Sequence, residues 1–254
     1  MTNVVYRRCG SQYHVRSVLR ARTHALQRGW LVLLLAGLSC CVVLATAQNP
    51  AEWCRSGHFV LPSEAAGFNL ARVTTARSYF YGDETTAGQA GCPTAGGTAC
   101  QLSSYVIKDD IVVLNSKTYG EFSCVRYTAS AEQSTTGWLK TVSLEPTRVA
   151  STQVPPTPDA WQGTWLTYDN TLVISQSALD RGFIVEGEAY WYGLNTIHTG
   201  EVVSRADPFE NQLILFDAYD CQLTLTLLQD YLIAQDNKRC GGMNVTFDGI
   251  YTRP

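Results

Sequence analysis

Along Phe183–Trp191, residues Phe183, Val185, Gly187, Ala189 and Trp191 fall on one face of an extended chain, and Ile184, Glu186, Glu188 and Tyr190 on the other. Cys221–Leu227 repeats the scheme, with Cys221, Leu223, Leu225 and Leu227 set against Gln222, Thr224 and Thr226. Met243, Val245, Phe247, Gly249 and Tyr251 do so again. A period of two with one apolar face marks a half-buried strand. Eight such runs are predicted after residue 160: Gly163–Thr167, Thr171–Gln176, Phe183–Tyr192, Thr199–Arg205, Gln212–Phe216, Cys221–Leu227, Tyr231–Gln235 and Asn244–Tyr251. Their short connections predict an antiparallel meander, and eight strands suffice to close a barrel. Its inward set, which includes Phe183, Val185, Trp191, Leu223, Leu225, Leu227, Val245 and Phe247, is bulky enough to predict a packed core without a drug-sized cavity.

The preceding segment carries shorter β-type runs at Ser78–Tyr81, Tyr105–Lys108, Ile111–Leu114, Phe122–Tyr127 and Gly137–Val142, separated by turn-rich stretches. Five or six strands of this length predict a small barrel. Between the two patterns, Glu145–Ala160 holds Pro146, Pro155, Pro156 and Pro158 among Thr, Ser and Val. Prolines at that density favour a semi-rigid spacer. The expected organisation is all-β: a leader at 1–47, a small barrel with an N-terminal extension at 48–144, a Pro-rich linker at 145–160 and an eight-stranded barrel at 161–254.

The first domain resembles the bacterial SH3-like (SH3b) family over about seventy residues. Tyr79-Phe80-Tyr81-Gly82-Asp83, Tyr105 through Leu114, Val125-Arg126-Tyr127-Thr128 and Thr136-Gly137-Trp138-Leu139 follow that family's motif order. Asp109 replaces its usual Gly, and the Cys92–Cys100 insertion is unusual. The resemblance implies a shallow groove for an extended peptide, with Tyr79, Tyr81 and Trp138 as its expected binding residues among an aromatic set that includes Tyr105 and Tyr127. Phe80, on the face opposite Tyr79 and Tyr81, is expected in the core. The opening Trp161-Gln162-Gly163-Thr164-Trp165 and the strand count of the second domain loosely resemble small secreted eight-stranded barrels, among them the avidin/lipocalin-like group and bacterial metalloprotease inhibitors. No ligand motif carries over from those.

The leader sets the compartment. Residues 1–29 hold six arginines and no Asp, Glu or Lys; Trp30–Leu44 is almost wholly apolar, and Ala45-Thr46-Ala47 follows. This is the layout of a secretory signal helix cleaved after Ala47. Lipidation at Cys41, within Leu38-Ser39-Cys40-Cys41, and an uncleaved signal anchor are the alternatives. Removing six arginines from 19 Lys+Arg leaves 13 against 22 Asp+Glu, a net charge of −9. Such an acidic chain argues against nucleic-acid binding and against docking on an anionic membrane surface. Six cysteines follow the leader: Cys54, Cys92, Cys100, Cys124, Cys221 and Cys240. An even number in an exported chain implies disulfides, with fifteen possible connectivities. Cys92 and Cys100 bracket a short flexible loop, Cys221 and Cys240 stand alone near the C-terminus, and Cys54–Cys124 follows by elimination. Zinc would want tighter Cys/His groupings.

Candidate chemistry is sparse. After the leader only His58 and His198 remain, neither beside a nucleophile motif. Glu186 and Glu188 share a face that points to solvent, where a carboxyl is not tuned for acid catalysis. Asp236–Met243 lacks the acidic positions of a calcium loop and is expected to be a turn in which Asp/Asn and Gly-Gly supply φ > 0, stapled by Cys240. Asn244-Val245-Thr246 is a formal glycosylation sequon, inert in the bacterial setting that the SH3b resemblance implies. The expectation is a periplasmic or secreted, non-enzymatic protein without metal or cofactor. Its partner would be a peptide, a cell-wall component or a secreted protein, with inhibition of a secreted hydrolase as the alternative.

Overall fold

A computed structural model describes residues 54–60, 67–130, 133–147, 155–179, 182–217 and 220–254. The leader therefore lies outside the described residues, as does the centre of the Pro-rich stretch, 148–154. The fold is all-β, built on two antiparallel sheets. The first holds β1 (Asn69–Val73), β2 (Arg77–Tyr81), β3 (Gln101–Ile107), β4 (Ile111–Tyr119), β5 (Phe122–Ser130), β6 (Gln133–Lys140) and β7 (Leu144–Thr147). Their order is β3-β2-β6-β5-β4-β1-β7. Seven strands stand where the sequence predicts five or six. The two additions, β1 and β7, pair with each other through Leu70↔Thr147 to Val73↔Leu144. Pro146 sits in β7 because that strand is the sheet edge, where a missing N–H breaks no ladder. The start of the predicted linker is thus strand, and its end is the single helical turn Pro158–Trp161.

The second sheet holds β8 (Gly163–Thr167), β9 (Asn170–Gln176), β10 (Phe183–Tyr192), β11 (Ile197–Ala206), β12 (Pro208–Phe209), β13 (Gln212–Phe216), β14 (Gln222–Leu228), β15 (Tyr231–Asp236) and β16 (Gly249–Thr252). Their order is β11-β10-β9-β8-β16-β15-β14-β13-β12, curled into a half-barrel. Seven predicted runs match strands to within a few residues; the eighth is shortened, and β12 is added, too short to show alternation. At the seam no ladder joins β11 to β13 among the described residues; Ser204 Oγ donates to the Phe216 carbonyl at 2.8 Å. The half-barrel is filled as expected: Phe183, Val185, Leu223, Leu225, Leu227, Val245 and Phe247 are buried in one cluster, with Trp191 packed on its rim.

The predicted strand Asn244–Tyr251 begins only at Gly249. The buried Asp236 carboxylate accounts for this. Its Oδ2 accepts from Phe247 N–H (2.6 Å) and Thr246 Oγ1 (3.0 Å), and Oδ1 from Lys238 N–H (2.8 Å), which holds residues 244–248 in a loop. Positive φ falls on Lys238 (63°) and Asn244 (67°), not on the Asp236-Asn237 or Gly241-Gly242 pairs expected to supply it. Gly241 serves close approach instead. A Cβ there would sit 2.8 Å from Gly200 Cα, so the loop backbone rests directly on β11. Val245 and Phe247 reach the core from this loop, Phe247 occupying the space above Gly187.

The two sheets share a core. β15 and β16 are buried on both faces: Leu232, Ala234 and Tyr251 point into the half-barrel. Ile233 and Ile250, with Leu228 of β14, join Leu70, Val113, Phe122, Cys124 and Trp138 of the first sheet. Residues Thr46–Pro254 accordingly form one compact unit. Three disulfides link the pairs expected: Cys54–Cys124, Cys92–Cys100 and Cys221–Cys240.

Candidate binding surfaces

Alternation along β2 sorts its side chains. Ser78 and Phe80 are buried, Phe80 in a cluster with Val106, Val112 and Val125. Arg77 and Tyr79 lie on the outer face, in register with Ile107 and Tyr105 of β3. There the Tyr79 and Tyr105 rings meet edge to face at 5.7 Å, and the Arg77 guanidinium lies 4.3 Å over Tyr105. Such an aromatic–cation stack holds the rings in place while leaving area exposed; Tyr105 remains 45% accessible.

Beside this stack runs a groove of about 540 Å³. One wall is Ser103, Ser104 and Tyr105 of β3; the other is Tyr127 and Ala129 of β5 with Gln133, Ser134 and Thr135 of β6. In the sheet order β2 lies between β3 and β6, and it pairs with β6 only at Tyr81↔Trp138. The lining combines two aromatic rings with hydroxyl and amide groups and carries no carboxylate or ammonium. Burial, reinforced by the Asp110 carboxylate to which it is hydrogen-bonded, raises the Tyr127 phenol above its ordinary range and keeps it a neutral donor.

The three residues expected to form the peptide site do not stand together on this surface. Tyr79 belongs to the exposed stack. Tyr81 is half-buried against Phe122, ring centroids 4.9 Å apart. Trp138 is 1% exposed inside the shared core, 6.2 Å from the Tyr119 ring, so its faces are occupied by protein. The tryptophan belongs to packing because the second sheet covers that side of β6. Tyr105 and Tyr127, noted among the aromatics, line the groove. Ser103, Ser104 and Gln133–Thr135 belong to no motif; for the two serines the signal is the uncharged run Gln101–Ile107.

A second, smaller cavity of about 470 Å³ lies along the loop between β15 and β16, lined by Lys238 and residues 241–246. Lys238 Nζ reaches Asp248 Oδ2 and donates to Thr246 Oγ1 (2.8 Å), so this lysine is engaged within the loop. Burial outweighs Lys238 and pushes the Asp248 carboxyl above the usual range. Asp236 and Asp248 are the two carboxylates of this knot; no group of three or more His, Cys, Asp or Glu side chains able to hold a metal ion occurs among the described residues.

Comparison with protein-family models, with curated proteins and with solved structures finds no match.

The remaining titratable candidates are placed as follows. Glu186 and Glu188 are exposed on β10, and Tyr190 donates to Glu188 Oε2 at 2.8 Å. His198 Nδ1 lies 2.7 Å from the Met243 carbonyl, with its ring 5.1 Å from that of Trp191. His58 falls on a side chain outside those described. Near His198, the β10–β11 hairpin exposes Tyr192, Leu194 and Ile197, and Met243 is exposed beside it. No charged residue occurs between Tyr190 and Thr199.

Proposed function

We propose that this chain is a non-enzymatic, exported cell-envelope protein that binds a peptide or peptidoglycan component through its SH3b-like first sheet. The observation that carries this reading is the groove between β3 and the β5–β6 hairpin. Its rings offer flat apolar contact, and its hydroxyls and amides match the donors and acceptors of a peptide. The ordered motif series on a chain with a secretory leader supports the setting, and three disulfides accord with an oxidising compartment. The test is retention of residues 48–254 on purified peptidoglycan sacculi. Binding above that of an unrelated acidic protein is expected, with Tyr105→Ala weakening it about tenfold, near the upper end of what one aromatic contact contributes. No retention, or an unaffected variant, removes the peptidoglycan version of the reading.

A second reading, inhibition of a secreted hydrolase through the half-barrel, is favoured by the uncharged, apolar hairpin tip around Leu194. Its assay adds the whole 48–254 chain to representative metalloproteases and lysozymes. Unchanged rates at micromolar excess reject it.

A further inference from the structure

Resting on the groove reading above and naming its recognition mode, we infer that the ligand is an extended, uncharged peptide segment that adds as a strand to the outer edge of β3. β3 ends its sheet, and among the described residues no strand pairs with its far side. The direction of its main-chain groups follows from Ile107. Its N–H donates to Asp110 Oδ2 (2.8 Å) and its carbonyl accepts from Asp110 N–H (3.1 Å), so both point away from β2. Main-chain groups alternate along a strand. Tyr105, two residues away, therefore directs its own N–H and carbonyl off the same edge, beside the groove that Tyr105 also lines.

Natural edges of this kind are blunted by charge, proline or short length. β7 at the opposite end of this sheet has four residues including Glu145 and Pro146, and β12 has two, beginning at Pro208. β3 has seven residues, Gln-Leu-Ser-Ser-Tyr-Val-Ile, with no charge and no proline of its own; its ladder to β2 shifts register between Tyr105 and Gln101, and Asp110 caps the edge at Ile107. The opposite wall, Tyr127 and the Gln133–Thr135 segment, is equally free of ionised groups. A charged side chain entering there finds no charged partner among the lining residues, whereas an uncharged strand satisfies the edge and leaves its alternate side chains against the rings.

The experiment titrates 15N-labelled 48–254 chain with an acetylated, amidated heptapeptide of alternating Thr and Val. Two N-methylated versions, one for each edge of the peptide, and a version with Glu at the central position serve as probes. The parent peptide should shift the Tyr105 amide and protect it from exchange. N-methylation of one edge and the Glu substitution should each weaken binding about tenfold, and N-methylation of the other edge should leave it within about twofold. Ser103→Lys, a change at an exposed position, should weaken the parent peptide similarly.

No shift at Tyr105, or equal binding of all four peptides, overturns strand addition. If Tyr105→Ala still weakens sacculus retention in that case, the groove reading survives alone. Peptide binding with the expected edge dependence but no sacculus retention removes the cell-wall reading and leaves strand addition standing. A concentration-dependent dimer that Ser103→Lys dissociates would instead assign the edge to a second copy and overturn the peptide.

Discussion

The Asp236–Lys238–Asp248 knot shows how few residues decide a local conformation. Asp236 is buried and hydrogen-bonded to main-chain N–H groups, so it acts as a template for the loop that follows β15. Asp248 accepts from Asp236 N–H at 2.6 Å and faces Lys238, yet burial dominates and raises its folded pKa. The folded state therefore holds the Asp248 proton to higher pH than the unfolded chain. Its contribution is fully present below the unfolded carboxylate value, near pH 4, and is lost as pH rises through the raised folded one. Asp248→Asn keeps an acceptor for Asp236 N–H and cannot ionise. The stability of wild type relative to this variant, from urea unfolding at a series of pH values, should fall as pH rises above about 4. A relative gain with pH would mean that Lys238, not burial, governs the site.

Among the elements, alternation was legible wherever a strand has one wet face. β8, β10 and β13 match their predicted bounds because Phe183, Val185 and Ala189, or Leu213 and Leu215, alternate with exposed or half-exposed neighbours. It failed where a strand is short or prolyl, as at β7, and where a side chain captures the backbone, as at Asn244–Asp248. The groove was half legible: ring-bearing Tyr105 and Tyr127 stand out in a sequence, but which faces of Tyr81 and Trp138 remain open depends on the neighbouring sheet. Cys240 holds the captured loop to the start of β14 through Cys221, across a sequence separation of 19. Replacing both by Ser should lower stability by about 3 kcal/mol, the loop-closure value for a span of this size. Urea denaturation of the double variant checks it, and a loss below about 0.5 kcal/mol would mean that the Asp236 knot alone holds the loop.

For the molecule as a whole, the cluster joining Ile233, Ile250 and Leu228 to Val113, Phe122 and Trp138 makes the sheets energetically dependent. The continuous apolar run Leu232-Ile233-Ala234 was the sequence sign that β15 is covered on both sides. Tyr168, at the β8–β9 turn, adds a polar link, its ring 5.5 Å beneath the Arg126 guanidinium of β5. Unfolding should be a single cooperative event. Variants retaining only Trp138 or only Trp165 as the fluorophore should report coincident urea midpoints. Ile233→Ala, at about 2–4 kcal/mol, should lower both equally. Separate midpoints would show two independent domains.

The same shared core bears on heredity. A recombination breakpoint in the Pro-rich stretch looks harmless in sequence, since it cuts no predicted strand between 155 and 160. It would nonetheless part Ile233 and Ile250 from Val113 and Phe122 and leave each descendant with a wet apolar face of the kind that chaperones and proteases act on. The two halves are therefore expected to be inherited as one piece, and lineages that shuffle either alone must first replace that face with polar residues.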